Sequence, residues 1–237
     1  MGDDFQTTSW GLVLAVGDPD TARSRQALTA LCEAYWQPLY AYVRRRGYEP
    51  EDARDLTQAY FAHLLEKQTL EHLAPGPGRF RAFLLKSLKN LLVEERDKER
   101  ALKRGGGRTP IPLDLETAER GYPVIASPSL TPEVVFEKRW AATVLQRVLD
   151  RLRGDFKRAG NPRQFELLKT FLMGDEPALS YHQVAADLEM TEAAVKMAVH
   201  RLRKRFGKAL RAEIMQTVAN PAEVDDEIRH LLSILGA

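Results

Sequence analysis

The sequence predicts an all-α protein made of two helical domains joined by a linker rich in proline and glycine. Apolar residues recur at three- and four-residue steps in both halves of the chain, which is the spacing of one face of an α-helix. That periodicity stops at residue 105, where three glycines and then five prolines interrupt the chain. We therefore expect an extension at 1–27, a helical domain at 28–104, a linker at 105–132, a second helical domain at 133–213 and a helical tail at 214–237.

The first domain is predicted to contain three amphipathic helices. Their apolar stripes begin at Leu28, Ala53 and Phe80. Pro38 lies within the first stripe, and we expect it to kink that helix or to end it early, because proline lacks the backbone N–H of an interior helical position. The Pro-Gly-Pro-Gly run at 75–78 predicts a loop between the second and third helices.

The second domain is predicted to open with a long amphipathic helix. Thr131 is expected to cap this helix, with Pro132 at its first position. A further helix is expected to begin at Pro162 and to end near Gly174, since glycine is common just past a helix C-terminus.

A helix-turn-helix pattern follows. Ser180 and Gln183 have the spacing of a capping box and open a short helix that ends near Leu188. Thr191 is expected to cap a longer helix that runs to about Leu210. Two helices joined by so short a turn cross steeply, as in helix-turn-helix proteins. An ordinary helical hairpin is the alternative interpretation of this spacing.

Composition excludes several classes of protein. The formal net charge is +2, because 35 basic residues nearly balance 33 acidic ones. The longest apolar stretch, residues 10–16, is far shorter than the roughly 20 residues of a membrane-spanning helix. The first residues are acidic where a signal peptide is basic. Cys32 is the single cysteine, which excludes internal disulfides and cysteine-based zinc clusters. We expect a soluble, cytoplasmic protein that binds no membrane.

The sequence also lacks a catalytic constellation. None of the five histidines has the close spacing of metal ligands, and no glycine-rich phosphate loop follows a predicted strand. We therefore expect a protein that is not an enzyme and that needs no metal or other cofactor.

Two basic segments stand out, one in each half of the chain. Residues 191–211 carry seven basic side chains and one acid, and residues 78–108 carry ten basic side chains and four acids. A charged run alone usually marks a solvated helix face. The segment 191–211, however, coincides with the second helix of the helix-turn-helix pattern, which in such proteins enters the major groove. DNA binding is therefore the leading hypothesis.

Three parts of the chain resemble the extracytoplasmic-function group of bacterial RNA polymerase sigma factors, a subfamily of the sigma-70 family. The first two helices of sigma region 2 are similar to residues 31–46 (LCEAYWQPLYAYVRRR) and 51–66 (EDARDLTQAYFAHLLE). The helix that melts the promoter and reads its minus-ten element resembles residues 78–96 (GRFRAFLLKSLKNLLVEER). The helix-turn-helix of region 4 is similar to residues 180–205 (SYHQVAADLEMTEAAVKMAVHRLRKR).

This resemblance implies a sigma factor that binds the RNA polymerase core and directs initiation at specific promoters. Its expected partners are promoter DNA and the clamp helices of the largest polymerase subunit, together with the flap. The alternative is a helix-turn-helix transcriptional regulator that does not act as a sigma subunit. That alternative leaves the basic third helix and the acidic second helix without a role.

The resemblance also implies site residues by position. The second helix of region 2 would dock on the clamp through Asp52, Asp55, Leu56, Gln58 and Phe61. The third helix would bind the minus-ten element, with phosphate contacts from Arg79, Arg81, Lys86 and Lys89 and a base contact from Asn90. The minus-thirty-five bases would be read by Glu192, Lys196, Met197 and His200, with phosphate contacts from Arg201, Arg203 and Lys204.

Two features leave alternatives open. Glu189 occupies a turn position where glycine is common in the family, and a left-handed backbone there would be strained. The tail, 214–237, contains an amphipathic helix, for which the favoured interpretation is packing on region 4. The alternative interpretation is a regulatory contact, either autoinhibitory or with a partner such as an anti-sigma factor.

Overall fold

The computed structural model describes residues 21–66, 80–101, 129–172, 179–218 and 220–236. Within these ranges the fold is all-α, as predicted, and contains no strand. The α-helices in chain order are α1 (Thr21–Arg45), α2 (Pro50–Glu66), α3 (Phe80–Ala101), α4 (Pro132–Arg158), α5 (Pro162–Leu168), α6 (Tyr181–Asp187), α7 (Glu192–Met215) and α8 (Val224–Leu235). Short 3-10 turns occupy Lys169–Phe171 and Pro221–Glu223. None of the described helices is long and apolar enough to cross a membrane.

The chain forms two compact units. The first unit contains residues 1–143 and 215–237, and the second contains residues 144–214. The predicted domains divide the chain differently, since they place 133–143 in the second domain and treat 214–237 as a separate tail. The physical reason lies in α4 and α8: the start of α4 buries Phe136 and Trp140, and α8 carries Glu227 to an ion pair with Arg81 of α3.

Aromatic side chains dominate the core of the first unit. The rings of Tyr35 on α1 and Phe80 on α3 meet edge to face, with centroids 5.2 Å apart. Tyr60 on α2 is fully buried, and its hydroxyl lies 3.0 Å from the carbonyl oxygen of Leu84, to which it donates. These contacts join all three helices around one apolar interior.

Pro38 does not end α1 early. The helix continues to Arg45, and Pro38 itself is buried among the aromatic residues of α1. Proline removes one backbone hydrogen bond in a helix interior. Burial of Trp36, Leu39 and Tyr40 on either side of it favours the continuous helix.

The predicted N-caps are confirmed at three helices. The hydroxyl oxygen of Thr131 accepts from the backbone N–H of Val134 at 3.3 Å, at the start of α4. Thr191 accepts in the same way from Ala194 at 3.2 Å, at the start of α7. Ser180 and its partner at the third helical position form the full reciprocal capping box at the start of α6.

The second unit is built around the crossing of α6 and α7. Val184 and Ala185 of α6 are buried, as are Val195 and Val199 of α7, which is the packing that the sequence predicts. The turn between the two helices places Glu189 at a φ of 53°, in the left-handed region. The structure therefore has the tight turn in which the sequence predicts backbone strain.

The helices that follow α4 differ from the prediction at their ends. α5 ends at Leu168 and continues as a 3-10 turn to Phe171, whereas the predicted end near Gly174 lies outside the described residues. α7 extends to Met215, about one turn beyond the predicted Leu210. Most of the predicted linker also lies outside the described residues.

Candidate nucleic-acid interface

The exposed face of α7 carries most of the side chains that the sequence places on DNA. Val195, Ala198, Val199 and Leu202 are buried, so the opposite side of the helix faces solvent. That exposed side carries Glu192, Lys196, Met197, His200, Arg201 and Lys204. Met197 is 57% exposed, although methionine is usually buried. The face therefore offers cations, a carboxylate and a thioether together, which suits contact with both phosphates and bases.

Two side chains from α6 lie against the start of this face. Nδ1 of His182 is 3.1 Å from Oε1 of Glu192, so the carboxylate has a partner before any ligand binds. The ammonium of Lys196 lies over the ring of Tyr181, 5.5 Å from its centroid. The sequence-based assignment includes neither His182 nor Tyr181. Both residues lie at the start of α6, and the crossing of the two helices brings them close to the start of α7. That position in the helix-turn-helix is the signal that could have identified them.

Arg203 is held differently from the other cations of α7. Its guanidinium donates two hydrogen bonds to the main-chain carbonyl oxygen of Phe171, at 2.9 and 3.2 Å. These bonds use two of the five N–H donors of the guanidinium, and Arg203 remains exposed. The structure therefore gives Arg203 a role in holding the 3-10 turn at Lys169–Phe171 against α7.

The exposed face of α3 is polar and basic at its centre. Lys86 and Asn90 are exposed and one helical turn apart, so they share a face. Lys89 is half-buried, and its ammonium lies 2.7 Å from the carboxylate of Glu133 at the start of α4. This ion pair holds the pKa of Glu133 below its usual range, because the lysine stabilises the ionised carboxylate.

A half-open cavity of about 250 Å³ lies between α1, α3 and the start of α4, within the first unit. Its lining combines a tyrosine ring, aliphatic side chains and charged groups, namely Tyr42, Arg46, Lys89, Leu92, Val93 and Glu133. The ammonium of Lys89 lies 5.8 Å from the centroid of the Tyr42 ring. Lys89 is therefore part of the wall of this cavity, where its ammonium lies near the Tyr42 ring and the Glu133 carboxylate.

Arg81, which the sequence places on promoter phosphates, is buried in this structure. Its side chain is only 3% exposed. The guanidinium lies over the ring of Trp140, 4.2 Å from its centroid, and pairs with the carboxylates of Glu137 and Glu227. In this conformation Arg81 is a buried ion-pair partner. Arg79, the other arginine assigned to this contact, lies outside the described residues.

The predicted docking face on α2 is acidic at its start. Asp52 and Asp55 are exposed, and Asp55 lies 3.4 Å from the guanidinium of Arg54. Leu56 and Gln58 are half-buried, so each presents part of its side chain at the surface.

The structure corrects the expectation for Phe61, the fifth residue assigned to docking. It is 1% exposed, and its ring packs edge to face against Tyr60 with centroids 5.8 Å apart. Phe61 therefore belongs to the core of the first unit.

One known family matches part of the chain. Residues 31–101 match the family model described as Sigma-70 region 2, which covers the greater part of α1 together with α2 and α3. Over these residues, which are less than half of the chain, the sequence is similar to region 2 of the sigma-70 family. No curated protein and no solved structure matches the chain. Among the described residues, no group of three His, Cys, Asp or Glu side chains is arranged to hold a metal ion.

Proposed function

We propose that this chain is a sigma factor of the extracytoplasmic-function group, which binds the RNA polymerase core in the bacterial cytoplasm and directs initiation at specific promoters. The observation that carries the proposal is the Sigma-70 region 2 match over residues 31–101. The basic helix-turn-helix of the second unit supports it independently, because a sigma factor of this group needs a second DNA-binding module for the minus-thirty-five element.

Helix α3 is proposed to bind the minus-ten element. Lys86 can neutralise a backbone phosphate, and the amide of Asn90 can both donate to and accept from a base edge. Both side chains are exposed on the same face of the helix. Lys89 would join them once a phosphate replaces Glu133 as its partner, and Arg79 would extend the contact toward the start of the helix.

Helix α7 is proposed to read the minus-thirty-five element from the major groove. Glu192 lies in its first turn and can accept a hydrogen bond from a cytosine amino group, and Lys196 can donate to a guanine edge. Met197 and His200 lie on the same exposed side. Arg201 and Lys204, farther along the helix, would contact phosphates, which fix the register without reading the sequence.

Helix α2 is proposed to dock on the clamp of the largest polymerase subunit. Asp52 and Asp55 give its first turns an exposed negative charge, and the half-buried Leu56 adds an apolar contact beside them. Such a surface suits a basic partner helix. Arg54 pairs with Glu51 at 2.6 Å as well as with Asp55, so docking would exchange these surface pairs for pairs with the polymerase.

The rival function is a helix-turn-helix regulator that acts without becoming a polymerase subunit. It accounts for α6 and α7 equally well, but not for the match to Sigma-70 region 2. The deciding experiment is run-off transcription with bacterial core polymerase, with and without the purified chain, on a library of promoter fragments. We expect specific transcripts only when the chain is added. Tight promoter binding in the absence of core, with no gain in transcripts, would favour the regulator.

A further inference from the structure

A buried cluster of charges joins α8 to α3 and α4 within the first unit. Arg81 and Glu227 are 2% and 1% exposed, and they form an ion pair. Nε of Arg81 also donates to Oε2 of Glu137 at 2.7 Å, and His230 of α8 lies 3.3 Å from the same oxygen. One guanidinium is therefore shared by two carboxylates, over the ring of Trp140.

Glu227 lies on the apolar face of its helix. Val224 and Leu231, one turn away on either side, are fully buried, whereas Leu232 and Leu235 are exposed. A carboxylate in the middle of a buried stripe is strongly unfavourable unless a cation pairs with it. The position of Glu227 therefore makes α8 dependent on Arg81, which is one of the cations that the sequence assigns to promoter phosphates.

We propose that α8 is an intramolecular cover for Arg81 of the minus-ten helix, with Glu227 occupying Arg81 in place of a promoter phosphate. Arginine binds carboxylates and phosphates through the same forked donor geometry, so the two partners are exchangeable. The inference rests on the proposed function, because it assumes that α3 binds promoter DNA.

Exchange of partners defines two states of the first unit. In the closed state, which the structure shows, Arg81 is paired with Glu227 and buried. In the open state α8 is released and Arg81 contacts the DNA backbone. Because Arg81 reaches the DNA backbone only in the open state, whereas Lys86 and Asn90 are exposed in both, the Arg81 contact adds to the affinity for promoter DNA only in the fraction of molecules that are open. Promoter binding and release of α8 are thus coupled.

The chain offers a matched pair of variants to test this coupling. Glu227→Gln removes the carboxylate of α8 that pairs with Arg81 and leaves the bond of Arg81 to Glu137 in place. Asp226→Asn makes the same chemical change one residue away, at an exposed carboxylate whose partner is Arg229. In run-off transcription at subsaturating protein, with core polymerase, we expect Glu227→Gln to raise transcript yield about threefold to tenfold. Asp226→Asn should match the wild type.

A double variant shows whether the gain acts through Arg81. With Arg81→Gln added, the gain from Glu227→Gln should disappear, because no released guanidinium remains to bind phosphate. A gain that persists in the double variant overturns the proposal, and so does a folded Glu227→Gln protein with unchanged or lower yield. The melting curve of each variant shows whether it is folded.

Hydrogen exchange of the unmodified chain tests the same proposal if Glu227→Gln does not fold. The amides of 224–235 should exchange about tenfold faster when core polymerase and promoter DNA are bound than in the free chain. Unchanged protection of α8 in an active transcription complex would show that α8 is only a structural part of the first unit. Absence of transcripts from the wild type would instead overturn the proposed function, so the two failures are distinguishable.

Discussion

The guanidinium of Arg203, on α7, is bound to the main-chain carbonyl of Phe171 by two hydrogen bonds, at 2.9 and 3.2 Å. Two donors on one carbonyl fix both the side chain and the 3-10 turn that carries Phe171. Phe171 is itself buried, and its ring stacks on Tyr181 with centroids 4.6 Å apart. Arg203, which the sequence predicts to contact DNA, therefore also holds the 3-10 turn against α7.

This bond predicts that Arg203→Ala is mainly a stability variant. Loss of a charged donor to a backbone carbonyl should lower the free energy of unfolding by about 1–2 kcal/mol. Lys204→Ala is the matched control, because Lys204 is exposed on the same helix, and it should change stability by less than about 0.5 kcal/mol. Chemical denaturation of both variants gives the comparison. Equal stability of the two proteins would show that the Arg203 contact contributes nothing.

The left-handed turn predicts that Glu189→Gly stabilises the chain. Glu189 has a φ of 53°, where a side chain is unfavourable and glycine is not. We expect the free energy of unfolding to rise by about 0.5–1 kcal/mol, since relief of strain outweighs the greater freedom of glycine in the unfolded chain.

Gly160→Ala is the converse control for this prediction, because it adds a side chain at a left-handed position instead of removing one. Gly160 has a φ of +76°, and a Cβ built there meets no atom within 4 Å, so only the backbone conformation opposes the substitution. It should lower the free energy of unfolding by about 1 kcal/mol. Thermal melts of both variants check the pair, and a stabilising effect of Gly160→Ala would contradict the argument from backbone conformation.

Charge reversals predict separable defects in the two proposed interfaces. Asp55→Lys places a cation on the acidic face of α2 and should weaken binding to core polymerase about tenfold or more, while DNA recognition is kept. Lys196→Glu should instead reduce use of promoters that carry a specific minus-thirty-five element, with core binding unchanged.

Asp150→Lys is the control for a charge reversal that lies outside both proposed interfaces. Asp150 is an exposed carboxylate of α4 that pairs with an arginine three residues away, much as Asp55 contacts its neighbour. It should leave both binding assays unchanged. Core binding by gel filtration and promoter binding of the holoenzyme by fluorescence anisotropy give the two readouts. A joint loss of both activities in Asp55→Lys would indicate misfolding rather than a docking defect.

Burial of the Cys32 thiol predicts slow reaction with thiol reagents and a stability that depends on pH. Burial raises the pKa of Cys32 from 9.0 to about 12, because desolvation disfavours the thiolate. At pH 8 the folded chain should react with a thiol reagent at least about 100-fold more slowly than the unfolded chain. The folded state also keeps the proton that the unfolded state loses, so this group makes stability fall as pH rises from about 9 to 12. Equal labelling rates in buffer and in denaturant would contradict this prediction.

Local signals in the sequence predicted local structure well. The capping box at Ser180 and the caps at Thr131 and Thr191 depend on residues within one turn of each other, so a short stretch of sequence contains all the information. The buried stripe of α2 could also be predicted from the sequence. Phe61 has core spacing together with Tyr60 and Leu64, and its assignment to docking came from resemblance alone.

Contacts between distant parts of the chain could not be read in the same way. Arg81 is one of ten basic residues in the segment 78–108, and nothing near it in the sequence marks it as buried. Its partners Glu137 and Glu227 come from two other helices, one of them near the end of the sequence. A phosphate contact and a buried ion pair need the same side chain, so only the fold distinguishes them.

The division of the first unit into two stretches of sequence has a consequence for its synthesis. Residues 215–237 complete a unit whose other part ends at residue 143, so Arg81 leaves the ribosome long before Glu227 is made. At a translation rate of roughly 5–20 residues per second, this interval lasts on the order of 10 s. A nascent chain therefore passes through a stage in which α3 exists without α8. Arg81 acquires its partner on α8 only after the whole stretch between the two residues has been made.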